Sequence, residues 1–288
     1  MQTKKLTEAS LSVTIFVILA LIAFYIPAMA IIMILVLATP HAVLTWRQGL
    51  KAGLMAVVVS GMILALFLDI ITAFILITLF AMVGTAIGYS AKRMTPGKVL
   101  LVGTLVGAVS FSVLLIVVMQ ITGIDMFGDM IKVYQEAILA VNEASNLVNL
   151  DTEALINQIS LLTGYLMPAM IILFGFMTSY VNFMFFGLVG RRIGLKVPKT
   201  PLIYDISLPK WFGAVFLVGT ALMIFSTSET VPYYIGMNIS LLFTYPIIFQ
   251  GLALAFVFMR QYIKSIIALI SACLKSTPHR YSVVVPSF

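Results

Sequence analysis

KVLLVGTLVGAVSFSVLLIVVMQI, residues 98–121, carries a single charge, at its first position, and no proline. A helix needs about 20 predominantly apolar residues to cross the hydrocarbon core of a bilayer, and this run exceeds that. It reads as a transmembrane helix. Gly103-x-x-x-Gly107 inside it places two glycines on one helix face, where a neighbouring backbone can approach closely.

The same signature recurs along the chain. Apolar runs bounded by charge, proline or glycine place spans at about 10–26, 28–45, 50–68, 71–90, 98–121, 159–189, 211–228 and 233–259. Pro168 and Pro246 fall inside the sixth and eighth, where each removes a backbone donor. The composition agrees: 288 residues are 62% hydrophobic and 9% charged, with a mean hydropathy of +1.15. A water-soluble fold this poor in charge would expose large apolar patches. The expected fold is an all-α integral membrane protein of about eight helices.

Charge sorts by loop. With the N-terminus in the cytoplasm, 16 of the 17 Lys and Arg residues fall on the inner side, and only Lys132 falls outside. Eight of the ten acidic residues fall outside, the exceptions being Glu8 and Asp205. The net charge of +7 is therefore a topology signal and does not point to nucleic acid. Lys4, Lys5, the apolar run 11–24 and Ala28-Met29-Ala30 can pass for a signal peptide. The apolar run resumes at once to Leu37, which favours an uncleaved first helix pair turning tightly at Tyr25-Ile26-Pro27.

Residues 122–157 form the substantial outer segment. Phe127, Ile131, Tyr134, Ile138, Val141 and Val148 recur at helical spacing, which predicts an amphipathic helix, with a second short one starting at Asp151. It lies on the outer leaflet or covers the mouth of the bundle as a lid. Residues 190–210 form a basic cytoplasmic connection within a membrane domain spanning 1–260. The tail 261–288 reads as interfacial or disordered, because 266–274 is too short to span.

No catalytic motif is present: no G-x-x-x-x-G-K loop, no His-Glu-x-x-His, no G-x-S-x-G. Acidic residues are absent from the span centres, which argues against a proton pump. One cysteine and two distant histidines, His41 and His279, give no basis for a metal site, and no cofactor is expected. His41, after Pro40, reads as an interfacial residue. The chain is not expected to be an enzyme, and active transport would need ATPase subunits supplied separately. Gly84-x-x-x-Gly88 and Gly103-x-x-x-Gly107 are the helix-packing candidates. Tyr165, Glu229, Tyr233, Tyr234 and Asn238 gather at the outer ends of the last three spans. They form either an aromatic belt or a ligand site.

Tyr25-Ile26-Pro27, Pro40, the Arg47-Gln48-Gly49-Leu50 step, the span through Gly84 and Gly88-Tyr89 before Lys92-Arg93, and the acidic outer segment together resemble the YybS-like family of bacterial membrane proteins. That family is similar in turn to the substrate-binding S components of energy-coupling-factor vitamin transporters. The resemblance covers roughly residues 1–260. It implies a six-helix S-component-like core with extra helices in the bacterial cytoplasmic membrane, binding a small metabolite or vitamin from outside. It also implies association with a membrane coupling subunit and two ATPases. Ser10-x-x-x-Thr14 is a looser form of the Ala-x-x-x-Ala docking pattern of such components. A non-transport protein that organises partners in the envelope is the other reading.

Overall fold

The computed structural model describes residues 2–123, 126–144, 152–201, 210–227 and 230–276. Among them every regular element is helical. In order these are α1 (Gln2–Tyr25), α2 (Pro27–Leu37), α3 (Thr39–Gln48), α4 (Leu50–Phe67), α5 (Ile70–Leu76), α6 (Met82–Ala91), α7 (Pro96–Thr122), α8 (Met126–Ala144), α9 (Thr152–Arg192), α10 (Lys210–Phe225) and α11 (Val231–Ser276). A π-helical turn, Ile77–Ala81, joins α5 to α6. Among the described residues seven helical stretches are long and apolar enough to cross a membrane, and Trp211–Phe225 is a shorter apolar helix. The protein is an all-α multi-pass membrane protein.

Its surface shows the solvent. Leu66 is 82% exposed, Phe225 88% and Ile31 75%. Water would not tolerate this outward apolar coat, whereas lipid tails are its natural surroundings.

The N-terminal half forms a dense bundle. Ile26 is the single residue between α1 and α2, and Pro27, with no N–H to satisfy, opens α2. The chain reverses there: Ser12 meets Pro40, and Glu8 meets Arg47, across an antiparallel pair. At the other end the Tyr25 hydroxyl donates to the Phe67 carbonyl at 3.1 Å, so α1 and α4 run side by side. Asp69 caps α5 by accepting the Thr72 N–H at 2.8 Å. The hydroxyl and N–H of Thr72 hold its carboxyl below the usual carboxylate range.

The second span is the one apolar stretch read in the sequence, Pro27–Gln48. A break in its helical hydrogen bonding falls at Ala38, between α2 and α3, where the backbone keeps α-helical angles (φ −72°, ψ −18°) and Pro40 cannot donate to the ladder. Two other elements run longer than expected. α9 begins at Thr152 and continues unbroken through Pro168 to Arg192, so the short helix expected at Asp151 is the start of the sixth span. α11 continues past Arg260 to Ser276, since no glycine or proline occurs between Leu252 and Ser276 to stop it. The expected disordered ending 277–288 lies outside the described residues, as does 202–209 of the basic connection. The described part of that connection folds back on α9: Leu195 N–H donates to Gly190 O at 2.9 Å, and the Tyr180 hydroxyl to Pro201 O at 3.2 Å.

Candidate functional site

The four packing glycines sit where backbones touch. A methyl group on Gly84 would meet the Ala38 carbonyl, and one on Gly88 the Ala42 carbonyl, so α6 lies directly against the broken segment α2–α3. On α7, a methyl at Gly103 would meet the Ser179 hydroxyl, and one at Gly107 would lie 3.0 Å from Gly175 Cα on α9. The Ser179 hydroxyl donates to Leu100 O at 3.2 Å.

The α2–α3 break brings polar groups into the bundle. His41 is fully buried within the bundle: its ring meets Phe16 edge-on at 4.5 Å, and its Nε2 is 3.2 Å from the Ser60 hydroxyl of α4. The Ser12 hydroxyl of α1 donates to Pro40 O at 2.8 Å. Four residues past His41, Thr45 packs with Thr85 over Gly53, where α3, α4 and α6 meet without room for a methyl group. The hydroxyls of Thr39, Thr45 and Thr85 are buried and without a hydrogen-bond partner among the described residues. Unpaired buried hydroxyls are costly in a low-dielectric interior. Five buried hydroxyl or imidazole side chains thus lie along α3: its own Thr39, His41 and Thr45, with Ser60 of α4 and Thr85 of α6 packed beside them.

Charge closes the end of this cluster. Arg47 pairs with Glu8 at 3.3 Å, and Gln48 donates to the same carboxylate at 3.1 Å. Lys92 donates to Trp46 O at 3.0 Å, satisfying a carbonyl in the last turn of α3. Arg93 lies over the Tyr89 ring at 4.1 Å.

Two cavities flank α1. One, of about 360 Å³, lies between α1, the α2–α3 break and the end of α9, with Thr39 in its wall and Glu8 and Arg47 at one end. The other, of about 720 Å³, is a groove between α1 and α4, where Ser10 and Thr14 face Ala52 and Ala56.

The outer aromatic group comes together differently from a pocket. Tyr165 stacks on Tyr234 with centroids 3.5 Å apart, and Tyr233 meets Tyr234 at 5.7 Å. Asn238 donates to Tyr165 O at 2.6 Å and accepts from Ala169 N–H at 3.1 Å. Those are the acceptor and donor that would pair with each other in a regular helix. Pro168 stands between them and disturbs the ladder. Asn238 also donates to Tyr234 O at 2.9 Å, which engages three of its four hydrogen-bonding positions with backbone. Its amide engages the donor and the acceptor that flank Pro168 in the neighbouring helix. Glu229 lies outside the described residues. The sequence shows Pro168 and Asn238 separately, but their pairing across 70 residues has no local signal.

Residues 14–282 match the family described as predicted membrane protein (DUF2232), and the chain belongs to that family. It is 24% identical over 275 residues to the Bacillus subtilis (strain 168) protein described as uncharacterized protein YybS, covering 92% of this chain and 88% of that one. No solved structure matches. Neither description names a substrate, a partner or a transport role.

Proposed function

We propose that this DUF2232 membrane protein is the substrate-binding subunit of a multi-component importer of the energy-coupling-factor type in the bacterial cytoplasmic membrane, taking a small metabolite or vitamin. The observation that supports this reading is the broken second span with its buried hydroxyl and imidazole groups. Polar and ionisable side chains inside a membrane are costly, face the bundle interior and often mark a ligand path. The chain has no ATP-binding motif, so separate ATPase subunits and a membrane coupling subunit supply the energy. It performs no chemistry of its own. The N-terminus lies in the cytoplasm, by the sorting of Lys and Arg.

Native mass spectrometry of the gently solubilised protein from its own membranes tests this. A stoichiometric small molecule, or a copurifying pair of ATPases, is the expected result. A protein that carries only lipid and no ATPase under conditions that preserve known membrane complexes would overturn it.

A second reading, a non-transport protein that organises partners in the envelope, draws on the groove between α1 and α4. Its small residues Ala9, Ser10, Ala52 and Ala56 leave room for a partner helix. A photo-reactive residue at Ser10 separates the two readings. Cross-links to a coupling subunit that travels with ATPases favour the importer, and cross-links to a partner free of ATPases favour the organiser.

A further inference from the structure

The cavity between α1, the α2–α3 break and the end of α9 has a shape and polarity that neither reading uses. It is a slot of about 360 Å³. Its walls include Leu11, Ile15 and Leu19 from one face of α1, Val43 from α3 and Val189 from α9. It opens sideways: Leu11 and Ile15 are 59% and 41% exposed. From Glu8 to Leu19 the α1 wall rises about 16 Å at 1.5 Å per residue. One leaflet of a bilayer is about 15 Å of hydrocarbon, the reach of a single acyl chain.

The two ends of the slot differ. Its apolar end points toward mid-membrane at Leu19 and Val36. At the other end stands Arg47, which gives one guanidinium nitrogen to Glu8 and has no other hydrogen bond among the described residues. Arg192 ends α9 one residue before Ile193, another wall residue, and is exposed. The Thr39 hydroxyl lies deeper, three residues from Val36, and is buried without a partner among the described residues. Basic residues at membrane-interface depth attract anionic headgroups.

We infer that this slot holds one acyl chain of an anionic phospholipid, with the phosphate beside Arg47 and the chain along Leu11, Ile15 and Leu19.

The test reconstitutes the full chain in nanodiscs of equal phosphatidylglycerol and phosphatidylcholine, then reads retained lipid by native mass spectrometry after mild detergent extraction. The wild type is expected to keep one phosphatidylglycerol. Ile15→Trp fills the slot from a half-exposed position that the fold tolerates, and is expected to lose the bound lipid. Arg47→Gln is expected to lower the preference for phosphatidylglycerol about fivefold, the equivalent of one lost interfacial cation. Glu8→Gln removes the ion pair but keeps the cation, so it should retain or raise that preference. This separates a lipid contact at Arg47 from mere loosening of α1. Equal retention of both lipids by the wild type, or unchanged retention in Ile15→Trp, would overturn the inference. So would a photo-reactive acyl chain that labels Leu101 and Val109 on the outer face of α7 as strongly as Leu11 and Ile15.

Discussion

The bundle of α1–α7 with α9, and the hairpin of α10 and α11, are both built from apolar helices but are held by different means. In the bundle, glycine lets backbones meet: Gly84 and Gly88 on the broken second span, Gly107 on Gly175. Its buried side chains include Phe16, Leu37, Leu64, Val83, Ile87, Phe183 and Phe186. The hairpin has its own glycine contact, a methyl on Gly236 lying 2.7 Å from Gly219 O. Its junction with the bundle, by contrast, is the Tyr165–Tyr234 stack and the Asn238 amide on α9. In lipid there is no hydrophobic drive to press helices together, so packing and hydrogen bonds decide association. The bundle relies on the first and the hairpin junction on the second.

The two tryptophans report on the two regions separately. Trp46 lies in the bundle, 6.0 Å from Phe186, and Trp211 lies in the hairpin beside Phe212 and Phe243. Fluorescence melts of single-tryptophan variants in detergent can therefore follow each region alone.

The largest effect is expected from Gly88→Leu. The new side chain meets the Ala42 carbonyl, a backbone atom that cannot step aside. A loss of more than about 3 kcal/mol follows from overpacking, and the Trp46 signal should melt well below wild type. An unchanged Trp46 transition would mean that α6 slides freely on α3.

Asn238→Ala comes next, at about 2 kcal/mol, because it leaves Tyr165 O and Ala169 N–H without their bridge. The Trp211 transition should fall while Trp46 changes little. The cost should shrink when Pro168→Ala is also present, since a regular helix then pairs those two groups itself. A double-mutant cycle reads this as coupling, and strict additivity would show that Asn238 does not serve the groups flanking Pro168.

Ser60→Ala removes the hydroxyl beside His41 and is expected to cost about 1 kcal/mol, seen by Trp46 alone. The smallest effect belongs to Asp69→Ala, the exposed cap of α5. Its carboxyl is held below the usual range, so its stabilisation is present above the ordinary carboxylate pKa and fades as pH falls through the lowered folded value. The variant should melt below wild type at neutral pH, and the gap should close in acid. A gap that persists in acid would assign the loss to something other than the charged cap.

Residues 98–121 read as a span and form one within α7, because length and apolarity alone satisfy a bilayer. The turn at Pro27 was equally plain, since proline acts through its own missing N–H. The break at Ala38 was not legible in the same way. Proline can kink a helix or end it, and the packing of α3 against Gly84 and Gly88 goes with the interruption here. His41 illustrates the same limit for the candidate site. Its sequence position gives no sign of its neighbours, and only the arrival of Phe16 from α1 and Ser60 from α4 buries it.

The sequence by itself determined the solvent, the helical class and the bounds of most spans. Those follow from local chemistry: every backbone polar group in lipid must be paired within its own helix, and twenty apolar residues suffice to do it. The tertiary structure decided which polar groups share a neighbourhood, from the threonines around the α2–α3 break to the amide that spans Pro168. Such pairings join residues tens of positions apart, and they form only when close helix packing has already chosen the neighbours.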